Sequence, residues 1–282
     1  MFRNAQITVL VPAYNESHHI QATLRAVPAF VDRILVIDDG SHDDTVSRAA
    51  AVADARVSIV RHSHNRGVGA ALRTGYERAF EAGADIAVVM AGDGQMDPAD
   101  LPALLTPVVA DEADYAKGNR LGHPEVVRRM PLARLLGNRT LSFLTRCATG
   151  LAIDDSQCGY TALHRRIGAR LRWPALWHGY GYPNDLLGML QLLDARVRDV
   201  VVRPIYADEQ SGVRLRHALF VVPYVLLRVL YQRLLASTKG AARNLTWTGD
   251  ALTARSTQLP AATSGIESAL IDRDEPEVQA NA

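Results

Sequence analysis

Lysine is almost missing from this 282-residue chain: of 31 basic residues only Lys117 and Lys239 are lysines, and the other 29 are arginines. The arginine fork suits phosphate and carboxylate recognition, although a bias in codon usage yields the same count. With 30 acidic residues the formal net charge is only +1. That balance gives no electrostatic reason to expect a nucleic-acid partner. Cys147 and Cys158 are the only cysteines; they have no metal-ligand spacing and are too few for a disulfide framework. The first residues lack the charged-then-apolar pattern of a secretory leader, so the cytoplasm is the expected compartment. Long apolar runs are missing as well. The longest, Ala218 to Leu227, is closed by Arg228, short of the roughly 18 residues that would suggest a membrane span.

What is present is 48% hydrophobic and 22% charged, the composition of an ordinary globular protein. The first half alternates regularly. "ITVLVP", "RILVIDD", "RVSIVRH" and "DIAVVMAGD" read as buried strands. Between them lie helical stretches: about Ser17 to Ala26, "HDDTVSRAAAVA" and "GVGAALRTGYERAFEAG". Apolar strands alternating with helices predict βαβ units and a mostly parallel sheet. In the second half "DYAKGNR", "CGYTALHR" and "VRDVVVRPIYA" read as strands. Helices are expected from Pro131 to about Thr149, over "NDLLGMLQLL", and from Arg216 to about Ala236. From about Thr248 the apolar periodicity gives way to Ser, Thr, Gln, Ala and Pro. The expected division is one domain over residues 1–240 and a disordered polar tail over 248–282.

Ligands of an open parallel sheet bind beyond the carboxyl ends of its strands. Three polar clusters fall there: "PAYNE" after the first strand, "DDGSHDDT" after the second and "AGDGQMDP" after the fourth. Each alone reads equally well as a helix cap; three on one edge point to a shared site. Asp39 is a candidate acceptor for a base or ribose. Asp93 and Gln95 are candidate oxygen ligands for Mg²⁺ or Mn²⁺, hard cations that keep water and substrate phosphates in their shell. "NRGVGAALRTG" lacks the Gly-Lys-Ser/Thr of a Walker loop, and Leu72 stands where the dinucleotide fingerprint has its third glycine. It serves either to bind a phosphate or to let a loop pack closely before a helix.

In order along the chain, "VPAYNE", "VIDDGSHDDT", "NRGVGAALRTGYERA", "MAGDGQMDP", "GNR" and "DSQCGYTAL" resemble the motifs of family-2 glycosyltransferases. The resemblance is strongest to the branch of polyprenyl- and dolichyl-phosphate sugar synthases, and covers about residues 5 to 235. It implies the GT-A fold, a Rossmann-like mostly parallel α/β sheet flanked by helices, here followed by a C-terminal amphipathic helix. It implies a nucleotide-sugar donor, UDP- or GDP-linked, with Pro12, Tyr14, Glu16, Ile37 and Asp39 lining the nucleotide pocket. The branch's acidic loop reads Asp-x-Asp-x-Gln. Here Ala91 and Gly92 precede Asp93 and Gln95, so the first carboxylate is missing and Asp93 must carry most of the metal binding. Arg120 is the family-matched clamp for the leaving diphosphate.

The implied reaction is a single inverting displacement. A hydroxyl acceptor needs a general base, for which Asp185 is the first candidate and Asp155 the second; each reads as a local structural carboxylate instead. A phosphate monoester, with its second pKa near about 6, needs none. Two arginine-bearing apolar stretches, Arg128 to Arg146 and Leu215 to Leu235, suit either the headgroup region of a membrane or the core and a homo-oligomer contact. The expectation taken forward is transfer to polyprenyl phosphate by an enzyme peripheral on the inner face of the cell membrane. The alternatives are a soluble or glycan hydroxyl acceptor, and a nucleotide-sugar-binding protein without turnover.

Overall fold

A computed structural model of the protein describes residues 1–205 and 220–246, together with Val278–Gln279. The first half runs β1 (Ile7–Ala13), α1 (Ile20–Ala26), β2 (Arg33–Asp38), α2 (Thr45–Ala50), β3 (Val57–Arg61), α3 (Val68–Glu81) and β4 (Ile86–Val89). It continues through α4 (Leu101–Val109), β5 (Tyr115–Asn119), α5 (Val126–Arg129), α6 (Leu132–Thr149), β6 (Thr161–His164) and α7 (Arg165–Gly168). The last elements are α8 (Tyr182–Leu192), β7 (Val197–Val201), α9 (Val222–Thr246) and β8 (Val278–Gln279). The strands form one eight-stranded sheet in the order β7-β5-β6-β4-β1-β2-β3-β8. β1 lies between β2 and β4, parallel to both, with Leu10 level with Leu35 on one side and Val89 on the other. β6 is antiparallel to β4 and β5, and β7 returns parallel to β5. This is the expected α/β sheet.

Strand runs without alternation follow from burial on both faces. Val9, Val11, Val36 and Val88 pack with Leu24, Leu101 and Leu105 from α1 and α4. Leu10, Ile37, Ala87 and Val89 face the other way, onto Leu72, Tyr76 and Phe80 of α3 and Leu186 and Leu190 of α8.

Three expectations need correction. α1 begins at Ile20 rather than near Ser17, because the backbone N–H groups of Asn15, Glu16 and Ser17 donate to Ser41, Thr45 and Asp43 in the next loop. Those contacts hold the segment on the neighbouring loop, and Asn15, at φ +57°, turns the chain there before the helix begins. α4 has no counterpart in the expected elements. Pro107 inside it reads as a breaker, yet Pro102 supplies a preset first turn and the buried Leu101, Leu104, Leu105 and Val108 hold the helix on the sheet. Within the described residues the last helix begins at Val222 and continues to Thr246; the expected start at Arg216 lies outside them. So does the expected tail, apart from Val278–Gln279, which lies antiparallel beside β3.

Leu10 is fully buried at the centre of the sheet. Leu10→Ala is expected to lower the unfolding free energy by about 2–5 kcal/mol, the cost of lost apolar contact plus a residual cavity, as read by urea denaturation.

Candidate active site

The tips of β1, β2 and β4 and the loops after them share one edge, and hydrogen bonds knit them together. Asp39 N–H donates to the Ala13 carbonyl and Gly92 N–H to that of Pro12. The β1 and β2 loops are cross-linked further: His42 N–H donates to Asn15 Oδ1, and Asp43 accepts from Thr45 and Ser17. Burial opposes the charge on Asp43, but those hydrogen bonds outweigh it and bring its pKa down to about 2. Tyr14 stays exposed at 41%, edge-on to His42. Pro12 and Glu16 are half-buried beside it. Ile37 differs from expectation: it is fully buried and packs under Gly75 of α3, so its side chain belongs to the core beneath the cleft rather than to a pocket wall.

Asp39 is the anchor of this edge. Its Oδ1 meets His62 Nδ1 at 2.7 Å and accepts from Arg66 N–H at 3.0 Å, while Oδ2 accepts from Gly67 N–H at 2.8 Å. The far nitrogen of His62 contacts Thr74 Oγ1 at 3.0 Å. Burial works against the Asp39 carboxylate, yet its hydrogen bonds with His62 and the two amides hold it below the usual range. His62 was not among the expected residues, although its place directly after β3 on the same edge was a readable signal.

The glycine-rich stretch is a packing device. Gly67 has φ +94°, and a Cβ on Gly69 would stand 2.0 Å from the Trp177 carbonyl oxygen. Gly69 and Ala70 N–H both donate to the His178 carbonyl. With Arg66 and Gly67 N–H given to Asp39, four amides that a phosphate would need are already used inside the protein.

In the acidic loop, Gln95 N–H donates to Asp93 Oδ1 at 3.0 Å, and Gly94 makes the turn with φ +72°. Ala91 N–H rests on Met96 Sδ, and Gly92 is buried behind the β1 tip. Among the described residues no group of three His, Cys, Asp or Glu side chains converges as a metal site. Asp93 and Gln95 offer hard oxygen donors only, the donor set that Mg²⁺ or Mn²⁺ takes when a diphosphate completes the shell.

Arg120, at the end of β5, is gripped by Asp155: Nε to Oδ2 at 2.8 Å, Nη2 to Oδ1 at 3.1 Å and its backbone N–H to Oδ2 at 3.1 Å. Burial pushes the Asp155 pKa up, but Arg120 outweighs it and holds the carboxylate ionised, which makes Asp155 a weak base. Beneath the pair, Lys117 is fully buried and donates from Nζ to the Cys158 carbonyl. Asp185 is also placed inward. At 1% exposure it accepts from Trp177 N–H at 2.8 Å and stands 3.5 Å from Arg228 Nη1 of α9. Burial raises its pKa against the pull of Arg228. An inward carboxylate with these partners ties α8, the 177–180 loop and α9 together. A cavity of about 400 Å³ opens beside it, walled by Trp177, Tyr180, Val221 and Arg228.

Residues 8–171 match the family described as glycosyl transferase family 2. The chain belongs to that family. Among its relatives, a UDP-N-acetylglucosamine–dolichyl-phosphate N-acetylglucosaminyltransferase of Methanococcus voltae is 33% identical over 217 residues, covering 72% of this chain and 86% of the relative. Polyprenol monophosphomannose synthase of Mycolicibacterium smegmatis is 31% identical over 224 residues, covering 76% and 84%. Among solved structures, glucosyl-3-phosphoglycerate synthase of Mycobacterium tuberculosis with Mn²⁺, UDP-glucose and phosphoglyceric acid superposes with a TM-score of 0.59 at 25% identity, covering 80% of each chain. The transferase therefore has the GT-A architecture that its motifs imply.

Asp199 of β7 gives the transferase a pH signature. Burial lifts its pKa to about 6 against the hydrogen bond from Asp154 N–H, and its Oδ1 is buried without a partner. A carboxyl whose folded pKa lies above its unfolded value of about 3.9 contributes stability in full below that lower value and loses it as pH rises through the higher one. Asp199→Asn removes this dependence. Urea titrations from pH 4 to 8 should show wild type losing stability relative to the variant up to about pH 6 and running parallel above it.

Proposed function

We propose that this family-2 transferase moves a sugar from a nucleotide donor to a polyprenyl phosphate at a membrane surface, with inversion. The observation that carries the acceptor is the outer face of the two long helices. Phe220, just before α9, and Tyr224, Leu227 and Tyr231 along it are 59–74% exposed and recur at helical spacing. Leu136 and Phe143 of α6 are exposed too. Arg228 and Arg233 of α9 turn away from that face: Arg228 binds the Ala175 carbonyl and Asp185, and Arg233 the carbonyls of Cys147 and Ala148 near the end of α6. The aromatic face of α9, beside an α6 face on which the exposed Arg139 stands between Leu136 and Phe143, suits the headgroup boundary of a bilayer that carries anionic lipid. Among the described residues no helix is long and apolar enough to cross one. The relatives named for dolichyl phosphate and polyprenol support the same acceptor, and the first of them a uridine donor.

A phosphate acceptor is largely a dianion at neutral pH and attacks without a base, in keeping with the inward setting of both candidate carboxylates. Tyr14 and the edge held by Asp39 would flank the nucleotide. Asp93 and Gln95 would hold Mg²⁺ or Mn²⁺, which supplies positive charge against the diphosphate when bound. Arg120 is assigned to the same diphosphate, as a preorganised charge that need not reorient during the reaction.

Asp93→Asn is expected to lower transfer at least about 100-fold with an unchanged unfolding midpoint, because a half-exposed loop tip carries little packing. Donor binding without nucleoside diphosphate release in wild type would instead favour a binding protein. For the acceptor surface, wild type should sediment with vesicles of mixed zwitterionic and anionic phospholipid. The double variant Leu227→Glu/Tyr231→Glu should sediment at least about tenfold less while keeping its donor-induced thermal shift. A wild type that stays in the supernatant counts against the lipid acceptor.

A further inference from the structure

We propose that Asp155 is a positioning residue for the transfer step, holding the Arg120 guanidinium at the angle from which it meets the leaving diphosphate. The inference rests on the glycosyl-transfer reading above and on the role given there to Arg120. One carboxylate grips this arginine three times: at Nε (2.8 Å), at Nη2 (3.1 Å) and at the backbone N–H (3.1 Å). Both ends of the side chain, its root and its fork, are therefore referenced to the same two oxygens. A guanidinium carries its five N–H donors in one plane, so the edge that grips Asp155 dictates where the opposite edge points.

Burial is graded through the pair. The Asp155 side chain is 0% exposed and that of Arg120 is 13% exposed, which puts the anion inside and the cation nearer the surface. Asp155 is itself built in. It lies on the loop that runs into β6, where Cys158 N–H donates back to its carbonyl and the neighbouring Ser156 is pinned by Ser142 of α6. Lys117 supplies a second buried positive charge that favours the ionised form of Asp155. A loop clamp would need only one of these contacts. The fork sets an angle.

The test is steady-state kinetics of the full chain with undecaprenyl phosphate and whichever UDP- or GDP-sugar gives the largest thermal shift. Asp155→Asn keeps the shape but cannot offer two equivalent acceptors. It should lower kcat about 10- to 100-fold, the effect of misplacing a catalytic group by about an ångström, with the donor KM within about threefold. In the Arg120→Gln background the same change should add nothing, since Asp155 acts through Arg120. Arg120→Lys keeps the charge without the fork and should also lose kcat about tenfold. If Asp155→Asn does not fold, the two Arg120 variants decide: similar losses support alignment, and a lysine variant at wild-type kcat overturns it. Losses that multiply in the double variant overturn the pairing while leaving the function standing. A wild type that binds donor but transfers to no acceptor removes both.

Discussion

A peptide carbonyl stands where the side chain of residue 69 would be, and much of the site depends on that close approach. Because Gly69 has no Cβ, the Trp177–His178 backbone reaches the start of α3 and accepts two of its amides. From there a line of contacts runs both ways. Toward the sheet, Gly67 and Arg66 pass to Asp39 and His62. Toward the outer helices, Trp177 N–H passes to Asp185 and Asp185 to Arg228 of α9. The edge assigned to the nucleotide and the face assigned to the membrane are thus joined through backbone amides and two buried carboxylates. Such contacts have fixed directions, so the two faces hold a set relation without a large interface between them.

The second constraint is charge inside the sheet. Lys117, Arg120, Asp155 and Asp199 lie within one another's field at the end of β5. Taking such groups out of water is costly unless each is paired and hydrogen-bonded. Asp155 and Arg120 satisfy that condition; Asp199, with one orphan oxygen, does not. A buried charged cluster is a feature that active sites retain, because groups held stiffly in low dielectric act strongly on incoming charge.

The arginine-rich helices show how sequence and packing differ as sources of information. On a helical projection the arginines of the last segment fall on several sides, which suits neither a core helix nor a clean amphipathic one. In the fold Arg228 and Arg233 of α9 share a purpose. Arg233 closes the carbonyl end of α6, where exposed C=O groups and the helix dipole favour a cation, and Arg228 neutralises Asp185. Removing them from the outer face leaves the aromatic stripe.

The alternating strands and helices of the first half, their mostly parallel sheet, the strand-tip clusters and the family were legible in the sequence, because strand burial and loop chemistry are written locally as apolar runs, glycines and acidic pairs. Asp93 could be named as a candidate on those grounds, and Arg120 through the family resemblance. The settings of Asp155, Asp185 and Ile37 could not. A carboxylate in a loop reads the same whether it faces a ligand, a helix end or an arginine 35 residues away. Which of these it meets is settled only when distant segments pack, since hydrogen-bond partners are chosen by position in space and not by neighbours in the chain.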